Sequence, residues 1–505
     1  MSNYMGIELG STRIKAVAIN DVYAPVRTGD YTWKSRLENG IWTYSLDQVW
    51  EGLRCALAPF SDMAIDTVGI SGMMHGYLAF DENWNLLVPF RTWQNTITAD
   101  AARELTALFG FNIPQRWSIA HLWQAALNQE EHISRVAHIT TLAGYVHYIL
   151  TGVNAIGIGE ASGMFPIDSS TQDYNASMIA SFDTISSSKG IHRSLKDLLP
   201  SVLTAGVSAG CLTEEGAALL GGILPVGTPF VPCEGDAGTG MTATNAVAPR
   251  TGNVSAGTSI FSMVVLEKPI RNVYEELDMV TTPDGKPVAM IHCNNCTSDI
   301  NAWSELFMEV ISLFKENVSM GDLFTRLYLK SLEGNADCSD ITVYNYMAGE
   351  GITHFNEGRP IVVRNPGSKF NLSNFIRAQI YSSMTTLALG MKILSAEGVA
   401  IDMLTGHGGL FKTPGVGQRY LAAACQAPVT CMSTAGEGGP YGMALLAAYA
   451  HKSEKSLRSF LAEDVFSHAE YVTVHPDIEE VAGFQRYLGR FEKGLPVEQA
   501  AISCF

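Results

Sequence analysis

The stretch Met5-Gly-Ile-Glu8-Leu-Gly10-Ser11-Thr12-Arg13-Ile-Lys15-Ala-Val-Ala-Ile19 decides the fold. Two short apolar runs, Met5 to Leu9 and Ile14 to Ile19, flank a glycine and two hydroxyl residues, which reads as a β-hairpin. Walker and Rossmann phosphate loops instead open a helix with their glycines, so both are excluded. The pattern returns at Thr251-Gly-Asn-Val-Ser-Ala-Gly257-Thr258-Ser259-Ile-Phe-Ser-Met-Val-Val265. That is about half a chain later, and it predicts two related domains, 1–247 and 248–505, each carrying a hydroxyl-rich turn.

The segments between the turns read as α/β. Helical periodicity covers Asp47 to Ala58, a strand runs Ile65 to Ile70 into a turn at Ser71-Gly72, and Leu78 to Phe80 is a further strand. The stretch 99–151 is mainly helical, and the Ser-rich segment 169–189 is expected to form surface loops and short helices. In the second half a helix is expected over Leu372–Leu394 and a strand over Ile401–Thr405. A turn Gly406-His407-Gly408-Gly409, a helix near Gly417–Cys425, a strand Val429–Met432 and a helix Tyr441–Ala450 follow. Strand and helix alternate, as in an α/β fold.

Composition sets the limits of function. With 505 residues, 47% hydrophobic and 16% charged, the chain is too apolar for general disorder. A net charge of −17 without a local basic patch argues against nucleic acid and anionic membrane surfaces as partners. No leader is evident at the N-terminus and no apolar run approaches membrane-spanning length, so a soluble cytoplasmic protein is expected. Nine scattered cysteines are read as reduced, and the lone Cys293-Asn-Asn-Cys296 lacks the partners of a metal site.

A tight Gly-hydroxyl turn lets backbone N–H groups approach an anion, and Ser or Thr adds a donor. One such turn is ordinarily a hairpin turn and nothing more. Two at half-chain spacing point to a polyphosphate gripped by Gly10, Ser11 and Thr12 and by Gly257, Thr258 and Ser259. Lys15 could add positive charge, or be a solvated strand lysine. Gly235-Asp236-Ala237 follows the apolar run Pro229–Cys233, placing a carboxylate where α/β folds put their chemistry. Asp236 reads either as a helix N-cap or as a general base taking a hydroxyl proton during phosphoryl transfer. Glu8, mid-strand beside the first turn, is either a solvated edge residue or a magnesium ligand. Gly406, Gly408, Gly409 and Leu410 lie between strand and helix, where bare backbone suits a flat base or a plain tight turn.

Taken together these segments resemble the FGGY family of carbohydrate kinases, over nearly the whole chain. They run in order as Gly6–Lys15, Val68-Gly-Ile-Ser-Gly-Met-Met74-His75-Gly76, Leu150–Asp168, Gly235–Ala237, Gly257–Ser259, Tyr346-Met-Ala-Gly-Glu350, Gly406–Gly409 and Glu437-Gly-Gly-Pro-Tyr-Gly442. The resemblance implies two actin-like (ribonuclease H-like) domains around a central cleft, in the actin and hexokinase-like (ASKHA) superfamily, with sugar mainly on the first and ATP mainly on the second. It implies Asp236 as catalytic base, Glu8 where relatives carry a magnesium-assisting aspartate, and Lys15 reaching the transferred phosphate. Met74, His75, Gly76, Trp93, Asn95 and Asp236 become the sugar contacts, and Glu8 with Asp236 the Mg2+ site. Met74-His75-Gly76 looks like the segment of xylulokinase-type pentulose kinases and lacks the Arg-Glu pair of glycerol kinases. Asn95 stands where relatives carry an acid. The expected activity is ATP-dependent phosphorylation of the terminal hydroxyl of a ketopentose such as xylulose. Ribulose-, rhamnulose- or fuculose-type substrates, or a noncatalytic sugar or nucleotide sensor, are the alternatives. Homodimers are frequent in the family.

Overall fold

The computed structural model describes residues 2–314, 316–432, 438–452 and 454–505. It divides into two compact units. The first comprises 1–249, 268–288 and 437–468, and the second 250–267, 289–436 and 469–505. A single cut at 247/248 therefore misses two stretches of the later chain that belong with the first unit.

In the first unit the strands are β1 (Tyr4–Leu9), β2 (Arg13–Ile19), β3 (Pro25–Thr32), β4 (Thr67–Gly72) and β5 (Glu234–Gly235), ordered β5-β4-β1-β2-β3. β1, β2 and β3 form an antiparallel meander, while β4 lies parallel to β1 and β5 parallel to β4. β1 is central and nearly continuous in its burial, as expected for a strand covered on both faces. Its cover on one side is α2 (Gly438–Lys452), which packs beside α1 (Asp236–Ala243). The approach is so close that a Cβ at Gly6 would stand 2.0 Å from the Pro440 carbonyl oxygen, and one at Gly442 1.9 Å from that of Thr239. Part of the chain's glycine content therefore serves helix-on-strand packing.

The second unit carries β6 (Thr251–Ala256), β7 (Ile260–Val265), β8 (Pro287–Cys293), β9 (Met403–Gly408), β10 (Val429–Met432) and β11 (Tyr471–Val474), ordered β8-β7-β6-β9-β10-β11. β6 and β7 are an antiparallel hairpin, and β9 and β10 run parallel to β6. Apart from β11, this repeats the strand order of the first unit. Its core holds the long helix Leu372–Ala396, whose buried Arg377 pairs with Glu480 of the helix Ile478–Cys504.

Two boundaries differ from expectation, while the segment 169–189 bears out its short helices. Ser71 and Gly72 belong to β4, because the ladder opposite Glu8 and Leu9 extends through them. Gly406 to Gly408 belong to β9, paired with Val254, Ser255 and Ala256. Within 169–189 the chain forms a real helix, Ala176–Ser186, where Ile179 and Phe182 are buried at i, i+3 and the Asn175 side chain accepts from the Met178 N–H at 3.1 Å. All nine cysteines are free, and Cys293 and Cys296 are buried. Among the described residues, no helix is long and apolar enough to cross a membrane.

Candidate active site

The first hairpin turn is closed by the Gly10 N–H donating to the Arg13 carbonyl at 2.9 Å. Aromatic side chains fasten it from outside. Trp33 Nε1 donates to the Gly10 carbonyl at 2.7 Å, the Tyr44 hydroxyl to the Ser11 carbonyl at 2.7 Å, and Trp93 Nε1 to Ser11 Oγ at 3.2 Å. With its oxygens held in this way, the turn presents its amides as donors, the polarity that suits an anion. Trp93, expected as a sugar contact, is thus brought against the first hairpin turn.

Glu8 lies just before this turn, across the ladder from Lys15 on one side and Ser71 on the other. Burial, with the charge of Asp236 as the second cause, pushes its pKa up to about 7, against the pull of Lys15. It is not a solvated edge residue. Asp236 opens α1, whose N-cap is Gly235, so the N-cap reading fails. Asp236 Oδ1 accepts from the N–H groups of Ala237 at 2.9 Å and Met74 at 3.3 Å. The side chain is open to solvent on one side and surrounded by protein on the others, which raises its pKa to about 6. The Met74 and Ala237 amides and Arg116 oppose that rise.

The loop Met74-His75-Gly76 is held in an unusual shape, with φ of 73° at His75 and 91° at Gly76. Positive φ at a non-glycine residue is strained and persists only where neighbours enforce it. Here Gly163 O lies 3.1 Å from His75 Nδ1, the His75 ring stacks on Trp117 at 6.3 Å, and the Ser118 hydroxyl donates to the Gly76 carbonyl at 2.6 Å. Asn95 is a correction. It is 2% exposed, with Nδ2 donating to the carbonyls of Trp42 and Thr92 at 2.9 and 3.0 Å and Oδ1 accepting from the Trp42 N–H at 2.8 Å. Its amide is spent on backbone, so it supports the loop carrying Trp93 instead of meeting a substrate.

Several residues here escaped sequence reasoning. Arg116, whose carbonyl accepts from the Gly76 N–H at 3.2 Å, forms a half-buried ion pair with Asp278. Glu234, fully buried, accepts from the N–H groups of Gly159 and Glu160 at 3.3 and 2.9 Å, and burial raises its pKa to about 8. Glu160 is equally buried and its pKa is raised well above the carboxylate range by desolvation. Glu160 sits behind Gly235, where a Cβ would meet its Oε2 at 2.6 Å, whereas Glu234 lies against Gly157, where a Cβ would meet its Oε1 at 2.1 Å. A charged residue directly after the apolar run at 229–233 was the available signal for Glu234.

In the second unit the turn is closed by the Gly257 N–H donating to Ser259 O at 2.9 Å. Thr297 donates from its N–H and hydroxyl to Gly257 O at 3.1 and 2.8 Å, and the Cys296 N–H to Thr258 O at 3.0 Å. Glu350 holds that fastening segment, accepting from the Asn294 and Asn295 N–H groups at 3.0 and 3.3 Å, and burial lifts its pKa to about 7. Gly408 needs its lack of side chain for local reasons: φ is +102° and a Cβ would stand 2.3 Å from Ala256 O. Gly406 faces the Phe411 ring, Leu410 is buried, and Gly409 alone of the three glycines is open, with only Ala256 O at 3.9 Å.

Paired hydroxyl turns on duplicated sheets, with two carboxylates beside one of them, are the makings of a phosphotransferase. Residues 3–242 match the N-terminal domain and 252–451 the C-terminal domain of the FGGY family of carbohydrate kinases, so the chain belongs to that family and is a carbohydrate kinase. A curated relative, the xylulose kinase of Haemophilus influenzae, is 23% identical over 97% of this chain and 98% of its own. Among solved structures the fold is similar to a xyloylose kinase from Brucella ovis, with TM-score 0.81 at 18% identity over 98% of this chain and 99% of that one. It is equally similar to a gluconate kinase from Lactobacillus acidophilus, with TM-score 0.81 at 16% identity over 97% of both chains.

Proposed function

We propose that this kinase phosphorylates the terminal hydroxyl of a ketopentose, xylulose being the first candidate, with Asp236 as the base. The observation that carries the reading is the geometry of Asp236. Its Oδ1 is engaged by the Met74 and Ala237 amides, which leaves Oδ2 to accept the hydroxyl proton as that oxygen attacks the γ-phosphorus. A base of pKa about 6 is ionised at neutral pH and accepts a proton more readily than an ordinary carboxylate. In this reading the Ser11 and Thr12 amides and Lys15 meet the charge on the transferred phosphoryl group, and the bare turn at Gly257, Thr258 and Ser259 holds the nucleotide's phosphates.

Mg2+ fits the donors present. The charge of Asp236 raises the cost of ionising Glu8, and a cation held by these carboxylates would relieve it. Among the described residues, no group of three or more His, Cys, Asp or Glu could hold a metal. A magnesium ion asks less of the protein, one or two carboxylates, than such a group would supply. Bound there, Mg2+ would neutralise phosphate charge.

For the sugar, the Met74-His75-Gly76 segment and relatives named xylulose kinase support a neutral ketose. The gluconate kinase neighbour raises a sugar acid as the rival, with Arg116 as its obvious reader. Asp278 already neutralises that guanidinium, which weighs against a carboxylate partner. ADP release measured over xylulose, ribulose, rhamnulose, fuculose, glycerol and gluconate tests the reading. Turnover greatest with xylulose is expected, and turnover confined to gluconate would replace the assignment. No turnover with any sugar would favour the sensor.

A further inference from the structure

Gly439 is the second residue of α2, and its φ lies outside the left-handed region that Gly438 occupies at +65°. Its backbone therefore admits any L-residue. The space does not: a Cβ there would stand 2.4 Å from Glu8 Oε1, 3.0 Å from Glu8 Cδ and 3.2 Å from Thr239 Oγ1. The main obstruction is thus not backbone but the end of one acidic side chain. Glu8 is paired on both sides, to Lys15 and to Ser71, so its strand stays in place and a Cβ at 439 is accommodated by rotation of the Glu8 side chain, which moves its oxygens. An aspartate at the same Cα would draw the carboxylate back by about one carbon–carbon bond, ~1.5 Å, and clear the position.

We infer that Glu8 and Gly439 are a matched pair, the missing side chain at 439 being what allows a glutamate to carry the carboxylate at this place. Gly439 is then a positioning residue that sets where the Glu8 oxygens stand. The steric half of this inference is independent of function, and the other half rests on the proposed metal role of Glu8.

The test compares wild type with E8D, G439A and E8D/G439A. The readouts are the thermal midpoint without ligands and the affinity for Mn2+ in the presence of ADP, followed by electron paramagnetic resonance. G439A alone is expected to lower the midpoint and weaken Mn2+ binding tenfold or more, and adding E8D to restore both to the level of E8D by itself. If G439A fails to fold, recovery of soluble protein in E8D/G439A reports the same coupling. Equal losses from G439A in the wild-type and E8D backgrounds would overturn the pairing. Coupled midpoints with Mn2+ affinity identical in all four proteins would overturn the metal role of Glu8 and the positioning role of Gly439. The base assignment, which rests on the geometry of Asp236 and is tested by D236N, would be untouched.

Discussion

The two units repeat one strand order, yet their hairpin turns differ in length, fastening and charge. Between the paired residues Leu9 and Ile14 the first turn spans 10–13, whereas between Ala256 and Ile260 the second spans 257–259. The first is tied by indole and phenol donors, the second by the backbone and hydroxyl of a neighbouring segment. Two residues before its glycine the first strand carries Glu8, facing Lys15; the second carries Ser255, facing Phe261. Topology was duplicated and chemistry was not. A turn's amides suffice to hold phosphate, whereas transferring it needs charge, and the charged residues gather in the first unit.

The sharpest way to break this asymmetry is D236N. Loss of a general base predicts a fall in kcat of about 10²–10⁴, with ADP affinity retained by calorimetry, while S255A leaves kcat nearly unchanged. Equal losses would mean that the second turn shares in the chemistry.

The acids give a pH signature with a definite sign. In the proposed roles of base and metal ligand Asp236 and Glu8 would work ionised; held at about 6 and about 7, they predict a kcat/KM that falls on the acid side through pH 7 to 6, well above the range of ordinary carboxylates. Stability moves the other way. Folded-state pKa values raised above those of the unfolded chain give a contribution that is full at low pH and is lost as pH rises through the folded values. Glu234, at about 8, extends that loss into the alkaline range. E234Q should flatten the decline in thermal midpoint between pH 6 and 9, and an unchanged slope would remove Glu234 from the account.

Smaller effects test the second unit's own construction. G408A combines positive φ with a collision against Ala256 O and should destabilise by about 1–3 kcal/mol, whereas G409A, with 3.9 Å of clearance, is tolerated. Denaturant midpoints separate the two. Least costly are the fastenings themselves: W33F and T297V each delete a hydrogen bond to a turn carbonyl, worth about 0.5–1.5 kcal/mol, and each should raise KM for ATP a few-fold.

What was legible in the sequence was local. Both hairpins show in strand–glycine–hydroxyl–strand, and Asp236 shows as an acid among small residues shortly after an apolar run. Partnerships across long separations were not legible: Arg116 meets Asp278, 162 residues away, and nothing near either forecasts the other. Asn95 misled because its residue type suits a sugar equally well as a carbonyl, and only burial shows which it serves. The glycines of β9 carry the same double reading, since close packing and ligand approach demand the same residue.

The return of α2 to the first unit has a consequence for synthesis. β1 leaves the ribosome long before the helix that covers it at Gly6, which follows only after the chain has passed through most of the second unit. At about 5–20 residues per second, the interval between residues 249 and 438 is roughly 10–40 s. Through that time the nascent first sheet keeps an apolar face uncovered, and the first unit cannot finish folding before most of the second has been made.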